Sequence, residues 1–138
     1  MGRIIAIDYG RKRTGLAVTD PLQIIATALD VIETPKLFNY LKSYFQKEQV
    51  DEIVIGLPKT LDNKEDDWAK HIRAVGDHIQ KMFPGKPLHL LDERFTTKIA
   101  LQSMLESGMK KKDRQVKGNA DKISATIILQ DFMSSKKV

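Results

Sequence analysis

Short β-branched segments alternate with amphipathic helical segments along this chain, and that alternation constrains its fold more than any other feature. Residues 4–7 form a continuous apolar run that breaks at Asp8. Residues 16–18 form a second run after a basic turn, which indicates a β-hairpin, and residues 24–32 form a third extended segment. The start of the chain therefore predicts three antiparallel strands at the beginning of a sheet.

Helices and strands then alternate through the rest of the chain. Apolar residues recur at helical spacing over 37–45 and 68–82, and residues 52–55 and 88–91 have the pattern of buried strands. A helix over 97–108 precedes a last helix near the C-terminus. This order predicts an α/β fold with a central mixed sheet, an antiparallel three-stranded start and helices on both faces.

The composition is that of an ordinary globular protein. At 138 residues the chain has the size of one domain, which we assign to residues 1–138. It has no long apolar segment and no signal-peptide pattern, so we expect a cytoplasmic protein without a membrane partner. The lack of cysteine excludes disulfides, thiolate zinc sites and cysteine nucleophiles. The net charge of +5 favours a polyanionic partner such as nucleic acid.

Three acids lie where elements begin or end. Asp8 ends the first strand, Glu93 follows the strand 88–91, and Asp121 lies near the start of the last helix, which begins near Asn119. Carboxylates that meet at one rim of a sheet repel one another unless a cation neutralises them, and oxygen ligands suit Mg²⁺ or Mn²⁺. The pattern predicts metal-dependent hydrolysis of a phosphodiester. Asp121 also begins a stripe at helical spacing that continues with Ala125, Ile128 and Phe132.

Each acid also has an ordinary structural explanation. An aspartate such as Asp8 commonly closes a turn at a strand end, Glu93 has Arg94 beside it as an ion-pair partner, and Asp121 suits a helix N-terminus. Spacing alone does not decide between a shared site and three separate structural roles.

Basic residues lie close in sequence to two of these acids. Arg11 and Arg13 lie in the turn after Asp8, and a polar stretch before Asp121 has the composition of a mobile loop. The alternatives are a track for nucleic-acid phosphates and a solvated loop. The candidate phosphate contacts in that stretch are Lys110, Lys111, Lys112, Arg114 and Lys117.

The aromatic residues near these acids have two interpretations each. Trp68 falls on the apolar stripe of its helix, so we assign it to the core in preference to a base-stacking role. Tyr9 follows Asp8 and either anchors the hairpin, which we favour, or stacks on a nucleotide. His71 and His78 are seven residues apart, too far for a zinc pair on one helix, and we assign them to the surface or to packing.

Four motifs in this order resemble the YqgF/RuvX family, the pre-16S ribosomal RNA nucleases and Holliday junction resolvase-like proteins, over essentially the whole chain. The resemblance is carried by IAIDYG at 5–10 with RTG at 13–15 and TD at 19–20, GLP at 56–58, DERFTT at 92–97, and Asp121 with ILQ at 128–130.

The resemblance implies a ribonuclease H-like fold in which Asp8, Glu93 and Asp121 form the metal-binding, catalytic set. It also implies that Arg94 lies against substrate phosphate, that residues 56–58 form a loop beside the active centre, and that Asp20 supports the first hairpin.

Three positions depart from the family pattern. Thr60 and Asn63 stand where Asn and Gly are expected, and Ser124 stands where Ala is typical. None of the departures removes an acid, but we transfer no substrate contact to residues 59–63.

The function predicted from this resemblance is a magnesium- or manganese-dependent endonuclease that processes the end of precursor 16S ribosomal RNA, with ribosomal particles among its partners. The alternatives are a Holliday junction resolvase on branched DNA and a catalytically silent RNA-binding assembly module. A resolvase cuts two strands symmetrically and is expected as a homodimer, whereas a monomer can process an RNA end. An ATP-dependent kinase, suggested by Asp8, Gly10 and Gly15, is disfavoured because the chain is too short for a second lobe.

Overall fold

A five-stranded mixed sheet forms the centre of the computed structural model, which describes residues 2–58, 66–92 and 119–136, with side chains in the last segment described from Lys122 onward. The strands are β1 Arg3–Asp8, β2 Arg13–Thr19, β3 Ala26–Glu33, β4 Val50–Leu57 and β5 Leu88–Asp92. The helices are α1 Leu37–Lys47, which follows a 3-10 turn over Thr34–Lys36, α2 Asp67–Met82 and α3 Asn119–Lys136.

The strand order across the sheet is β3-β2-β1-β4-β5. The β1–β2 and β2–β3 pairs are antiparallel, whereas β4 pairs in parallel with both β1 and β5. Ile7 of β1 aligns with Leu16 of β2 and with Ile55 of β4, and Ile55 aligns with Leu90 of β5. The predicted mixed sheet with an antiparallel three-stranded start is therefore confirmed.

The two faces of the sheet bury separate cores because side chains alternate along each strand. On one face Ile5 and Ile7 pack with residues of α1 and α2, including the fully buried Leu41 and Ile79. On the other face, the core combines short or medium side chains from the strands with the apolar stripe of α3. That second core contains Ile4, Ala6, Ala17, Val54, Ala125, Ile128, Leu129 and Phe132.

Local signals explain where α2 begins and ends. The carboxylate of Asp66 accepts a hydrogen bond from the backbone N–H of Ala69 at 2.9 Å, which caps the first turn. Pro84 and Gly85 follow the C-cap residue Phe83 and prevent continuation of the helix. The predicted helix over 68–82 is confirmed, with its N-terminus one residue earlier.

Contacts at the C-terminal end of α3 establish the direction of this helix. The ammonium of Lys136 bonds the carboxylate of Glu52 near the start of β4, and the Phe132 ring lies 4.9 Å from that of His89. The Nε2 of His89 in turn lies 3.4 Å from Glu52 Oε1. Since α3 ends near the beginning of β4, its N-terminus points toward the opposite rim, where β1, β4 and β5 end.

Two predicted boundaries were wrong. The β4 strand continues through Gly56 and Leu57, so these residues do not form the predicted loop; the parallel pairing of Leu57 with Asp92 keeps them in the sheet. The β3 strand begins at Ala26, two residues later than predicted, because the Asp20 carboxylate holds the preceding backbone in a turn.

The predicted helix over 97–108 and the predicted basic loop before Asn119 lie outside the described residues. No helix within the described ranges is long and apolar enough to span a membrane.

Candidate functional site

Asp8 lies at the rim of the sheet where several element ends meet. It is the last residue of β1, and the parallel strands β4 and β5 end at the same rim, at Leu57 and Asp92. The N-terminus of α3 points to this rim as well. Loops at the carboxyl ends of parallel strands are the usual place for a site in an α/β protein.

The alternation of β1 assigns Asp8 to the face that α3 covers. Ile4 and Ala6 lie four and two residues before Asp8, so their side chains are on the same face of the sheet, and both pack in the core shared with α3. Asp8 is half-buried, so its carboxylate is partly shielded and remains within reach of solvent. The backbone of Asp121 lies in α3, one helical turn before Ala125, which is fully buried on this same face.

Glycines flank Asp8 on both neighbouring strands. Asp8 pairs with Gly15 of β2, and Gly56 of β4 follows Ile55, the parallel partner of Ile7. Neighbouring strands lie about 4.8 Å apart, so any side chain at either position would stand directly beside the carboxylate. The two glycines, both buried in the sheet, leave both flanks of Asp8 without side chains, so a neighbouring group can approach the strand backbone closely there.

The turn after Asp8 is held by a compact set of hydrogen bonds. A Cβ at Gly10 would lie 2.2 Å from the carbonyl oxygen of Arg13, so only glycine allows this approach of the backbone. The hydroxyl of Thr34 donates to the Gly10 carbonyl at 2.6 Å and lies 2.9 Å from the buried hydroxyl of Thr14. The turn therefore presents Arg11 and Arg13 from a defined backbone.

An aromatic cluster with a cation on it adjoins this rim on the opposite face of the sheet. The Arg11 guanidinium carbon lies 4.2 Å from the centroid of the Trp68 ring, and the His71 ring stacks on that indole at 5.3 Å. The Tyr9 ring lies 5.5 Å from Trp68, and its hydroxyl is 3.3 Å from His71 Nε2. Burial raises the pKa of the Tyr9 hydroxyl above its usual value.

This cluster was missed as a unit by the sequence interpretation. Trp68 does pack against the core, as predicted, but it is only partly buried and carries an exposed arginine on its ring. The available signal was the spacing of Trp68 and His71, which places them on one side of α2. The contribution of Arg11 has no sequence signal, because it comes from a turn far away in the chain.

The structure brings together part of the predicted site. Asp8, Arg11 and Arg13 lie at the rim, and Asp92, which precedes Glu93, ends the strand two places from β1. The remaining predicted residues, and the side chain of Asp121, lie outside what is described; they are Glu93, Arg94, Lys110, Lys111, Lys112, Arg114 and Lys117. Within the described side chains, no three carboxylates or imidazoles are grouped as a metal site.

Asp20 has a structural role, at a different turn from the one predicted. Its carboxylate accepts hydrogen bonds from the backbone N–H groups of Leu22, Ile24 and Ile25, at 3.2, 2.8 and 2.8 Å. These bonds, led by the one from Ile25, lower the pKa of the Asp20 carboxyl. Asp20 therefore organises the turn between β2 and β3, not the β1–β2 hairpin.

A family model described as "RuvX: Holliday junction resolvase" matches residues 2–135. The chain belongs to this RuvX family. Relatives named "Putative pre-16S rRNA nuclease" include one from Bacteroides thetaiotaomicron and one from Flavobacterium johnsoniae, each 50% identical over 137 residues and covering 99% of both chains. The family identified from the sequence motifs is confirmed.

Solved structures with the same fold include two complexes with Holliday junctions. RuvC of T. thermophilus, in complex with a Holliday junction substrate, has a TM-score of 0.62 at 14% identity and covers 98% of this chain and 96% of its own. The fowlpox virus resolvase in complex with Holliday junction DNA has a TM-score of 0.58 at 12% identity, and the match covers 97% of this chain and 98% of the resolvase chain. These likenesses confirm the ribonuclease H-like fold of this RuvX member.

Proposed function

We propose that this RuvX member is a nuclease of one domain that hydrolyses phosphodiester bonds in structured RNA, with the end of precursor 16S ribosomal RNA as its substrate. The observation that carries the proposal is the setting of Asp8: a half-buried carboxylate at the strand rim, between Gly15 and Gly56, facing the N-terminal half of α3. The names of the relatives at 50% identity support the choice of substrate.

We assign the catalytic set to Asp8, Glu93 and Asp121. Glu93 follows Asp92 in sequence. If the alternation of β5 continued by one residue, the Glu93 side chain would lie on the same face of the sheet as Asp8. Asp121 precedes the buried Ala125 by one helical turn on α3, which covers that face. Both positions are thus compatible with a site built around Asp8.

These carboxylates would hold Mg²⁺ or Mn²⁺. Three carboxylates are hard oxygen donors, and the neighbouring strands carry no side chain beside Asp8, so the chemistry of the residues fits this group. When bound, such an ion neutralises developing charge on a phosphoryl group and lowers the pKa of water. Without a cation the same acids would repel the substrate backbone.

Basic side chains would position the backbone of the nucleic acid. Arg13 begins β2 beside the rim, and Arg11 lies exposed in the same turn, with its guanidinium over the Trp68 ring. Guanidinium groups bind phosphate oxygens with two parallel hydrogen bonds, which orients the phosphate as well as attracting it. We assign further phosphate contacts to Arg94 and to Lys110, Lys111, Lys112, Arg114 and Lys117.

Cleavage of branched DNA is the second candidate, and the family description and the two resolvase complexes of the same fold favour it. A resolvase would act as a homodimer, whereas the RNA nuclease would act as a monomer or weak homodimer, in the cytoplasm and on ribosomal particles. A sizing column separates these oligomeric states.

The deciding experiment is cleavage of end-labelled precursor 16S ribosomal RNA and of a four-way DNA junction in parallel, with and without Mg²⁺. Asp8→Asn should abolish cleavage of the true substrate while leaving the fold intact. Asp77→Asn is the matched control, because Asp77 is exposed on α2 away from the rim. Cleavage by Asp8→Asn at the wild-type rate would refute the proposal, and binding without cleavage by the wild type would indicate a silent assembly module.

A further inference from the structure

The cluster formed by Tyr9, Arg11, Trp68 and His71, here called the Trp68 cluster, has no role in holding the acids or the metal. It lies on the opposite face of the sheet from α3, because Tyr9 follows Asp8 and packs with the core of α1 and α2. A surface cleft of about 260 Å³ opens beside it, lined by Arg11, Asp67, Trp68 and His71. Its position one residue from Asp8 makes it a neighbour of the proposed cleavage site.

The geometry of the Trp68 cluster is more than core packing requires. Trp68 is half-buried, yet one of its contacts is the exposed guanidinium of Arg11 at 4.2 Å, and the His71 ring is inclined to the indole by only 25°. Aromatic rings with a cation across them form the surfaces on which unpaired bases stack. Arg11 is exposed, and its long side chain can leave the indole for a phosphate or remain as a second stacking plane.

We propose that the cleft of the Trp68 cluster is a stacking subsite for one unpaired nucleobase that flanks the cut phosphodiester. This inference rests on the proposed nuclease function and deepens it. The base stacks on the Trp68 and His71 rings, and the Arg11 guanidinium bonds the phosphate of that nucleotide. The substrate class is therefore nucleic acid with an unpaired nucleotide beside the cleavage point.

Charge and size in the cleft support a base as the occupant. Asp67 forms one wall, and its carboxylate would repel a phosphate but accepts hydrogen bonds from the amino edge of a base. The cleft is also smaller than the roughly 300–1,000 Å³ of pockets that take drug-sized ligands, as expected for a single ring system. A base within a continuous duplex cannot reach it, because both of its faces are already stacked.

Trp68 is the single tryptophan of the chain, so its fluorescence reports on the subsite without any substitution. The test adds a short single-stranded RNA, the same RNA in a blunt duplex, the same strand with abasic sugars, and inorganic polyphosphate to the full chain. We expect strong quenching by the single strand and little by the other three. Equal quenching by the abasic strand or by polyphosphate would overturn the proposal, since displacement of Arg11 alone would then explain the signal.

Variants separate stacking from charge. Trp68→Ala should weaken single-strand binding by about 5- to 150-fold, the range measured for loss of one base-aromatic stack, and Trp68→Phe should recover most of it. Arg11→Gln should weaken binding of the abasic and intact strands by a similar factor, because it removes a phosphate contact that both strands make. Lys81→Gln, a charge control at the far, exposed end of α2, should leave both affinities unchanged. Unchanged single-strand affinity of folded Trp68→Ala would also overturn the proposal.

The proposed nuclease function and the subsite fail in different ways. Asp8→Asn should lose cleavage but keep the full quenching by single-stranded RNA, because Asp8 faces away from the Trp68 cluster. Quenching in a wild-type protein that cuts neither substrate would refute the nuclease and keep the subsite. Normal cleavage without base-dependent quenching would refute the subsite and keep the nuclease.

Discussion

Asp8 and Gly15 are directly paired across the antiparallel β1 and β2 strands, so the position beside the proposed catalytic carboxylate carries no side chain. On the other flank, β4 presents Gly56 at the level of Asp8. A rim that has no side chain on either side of one acid is suited to a ligand that must approach the backbone closely. The first prediction follows from this pairing.

Gly15→Ala should reduce cleavage by about tenfold or more, and by more than its unfolded fraction explains, because it adds a methyl group directly beside Asp8 at a buried position of β2. Cleavage rates and urea denaturation of the same preparations test this.

The matched control is Gly76→Ala on the opposite face, where a Cβ would lie 3.4 Å from the flexible end of Leu88 and 3.7 Å from those of Ile55 and Leu90. It should keep full activity and gain up to about 1 kcal/mol of stability from helix propensity. If both variants lose activity in proportion to their unfolded fraction, the space beside Asp8 has no special role.

The turn held by Asp20 should make stability depend on acid pH. The hydrogen bonds from backbone N–H groups hold its pKa below the usual value of 3.8, so the ionised form stabilises the fold. That contribution is present above pH 3.8 and disappears as the pH falls through the lowered pKa. Asp20→Asn should therefore unfold at a lower temperature than the wild type near neutral pH, and the two melting temperatures should converge in strong acid. A difference that is constant across this range would contradict the assignment.

The Tyr40 hydroxyl should ionise only at unusually high pH. Burial raises its pKa to about 12, and the carboxylate of Asp30 adds to the effect. Since the folded pKa exceeds the usual 10.0, the stabilising contribution is full below pH 10 and is lost as the pH rises toward 12. Ultraviolet titration of tyrosinate, with Tyr40→Phe to assign the signal, measures this pKa. Asp30→Asn should lower it; an unchanged value would exclude a contribution from Asp30.

The packing of α3 should contribute strongly to stability. Ile128 is fully buried between α3 and the sheet, so Ile128→Ala should lower the free energy of unfolding by about 2–5 kcal/mol. The exposed Lys122 lies on the same helix, and Lys122→Ala should change the free energy of unfolding by less than about 0.5 kcal/mol. Urea denaturation compares the two. Similar small losses for both would mean that α3 packs only weakly on the sheet.

Much of the architecture follows from local sequence patterns. The β-branched runs, the helical stripes of α2 and α3 and the Pro84–Gly85 stop act over a few residues, so the strands and helices within the described ranges were predicted in the right order. For the same reason, Asp8 was predicted at the end of a strand, and Ala125, Ile128 and Phe132 were predicted on the buried stripe of α3.

Tertiary structure decided the features that depend on register and on long-range contact. The pairing of Asp8 with Gly15 depends on the register of the hairpin, and the inclusion of Gly56 and Leu57 in β4 depends on pairing with β5. The contact of Arg11 with Trp68 joins a turn to a distant helix. Local sequence determines the periodicity and the ends of elements, whereas these three features arise only when strands pair and helices pack, because a local pattern of apolar and polar residues determines neither the register of strands nor a long-range contact.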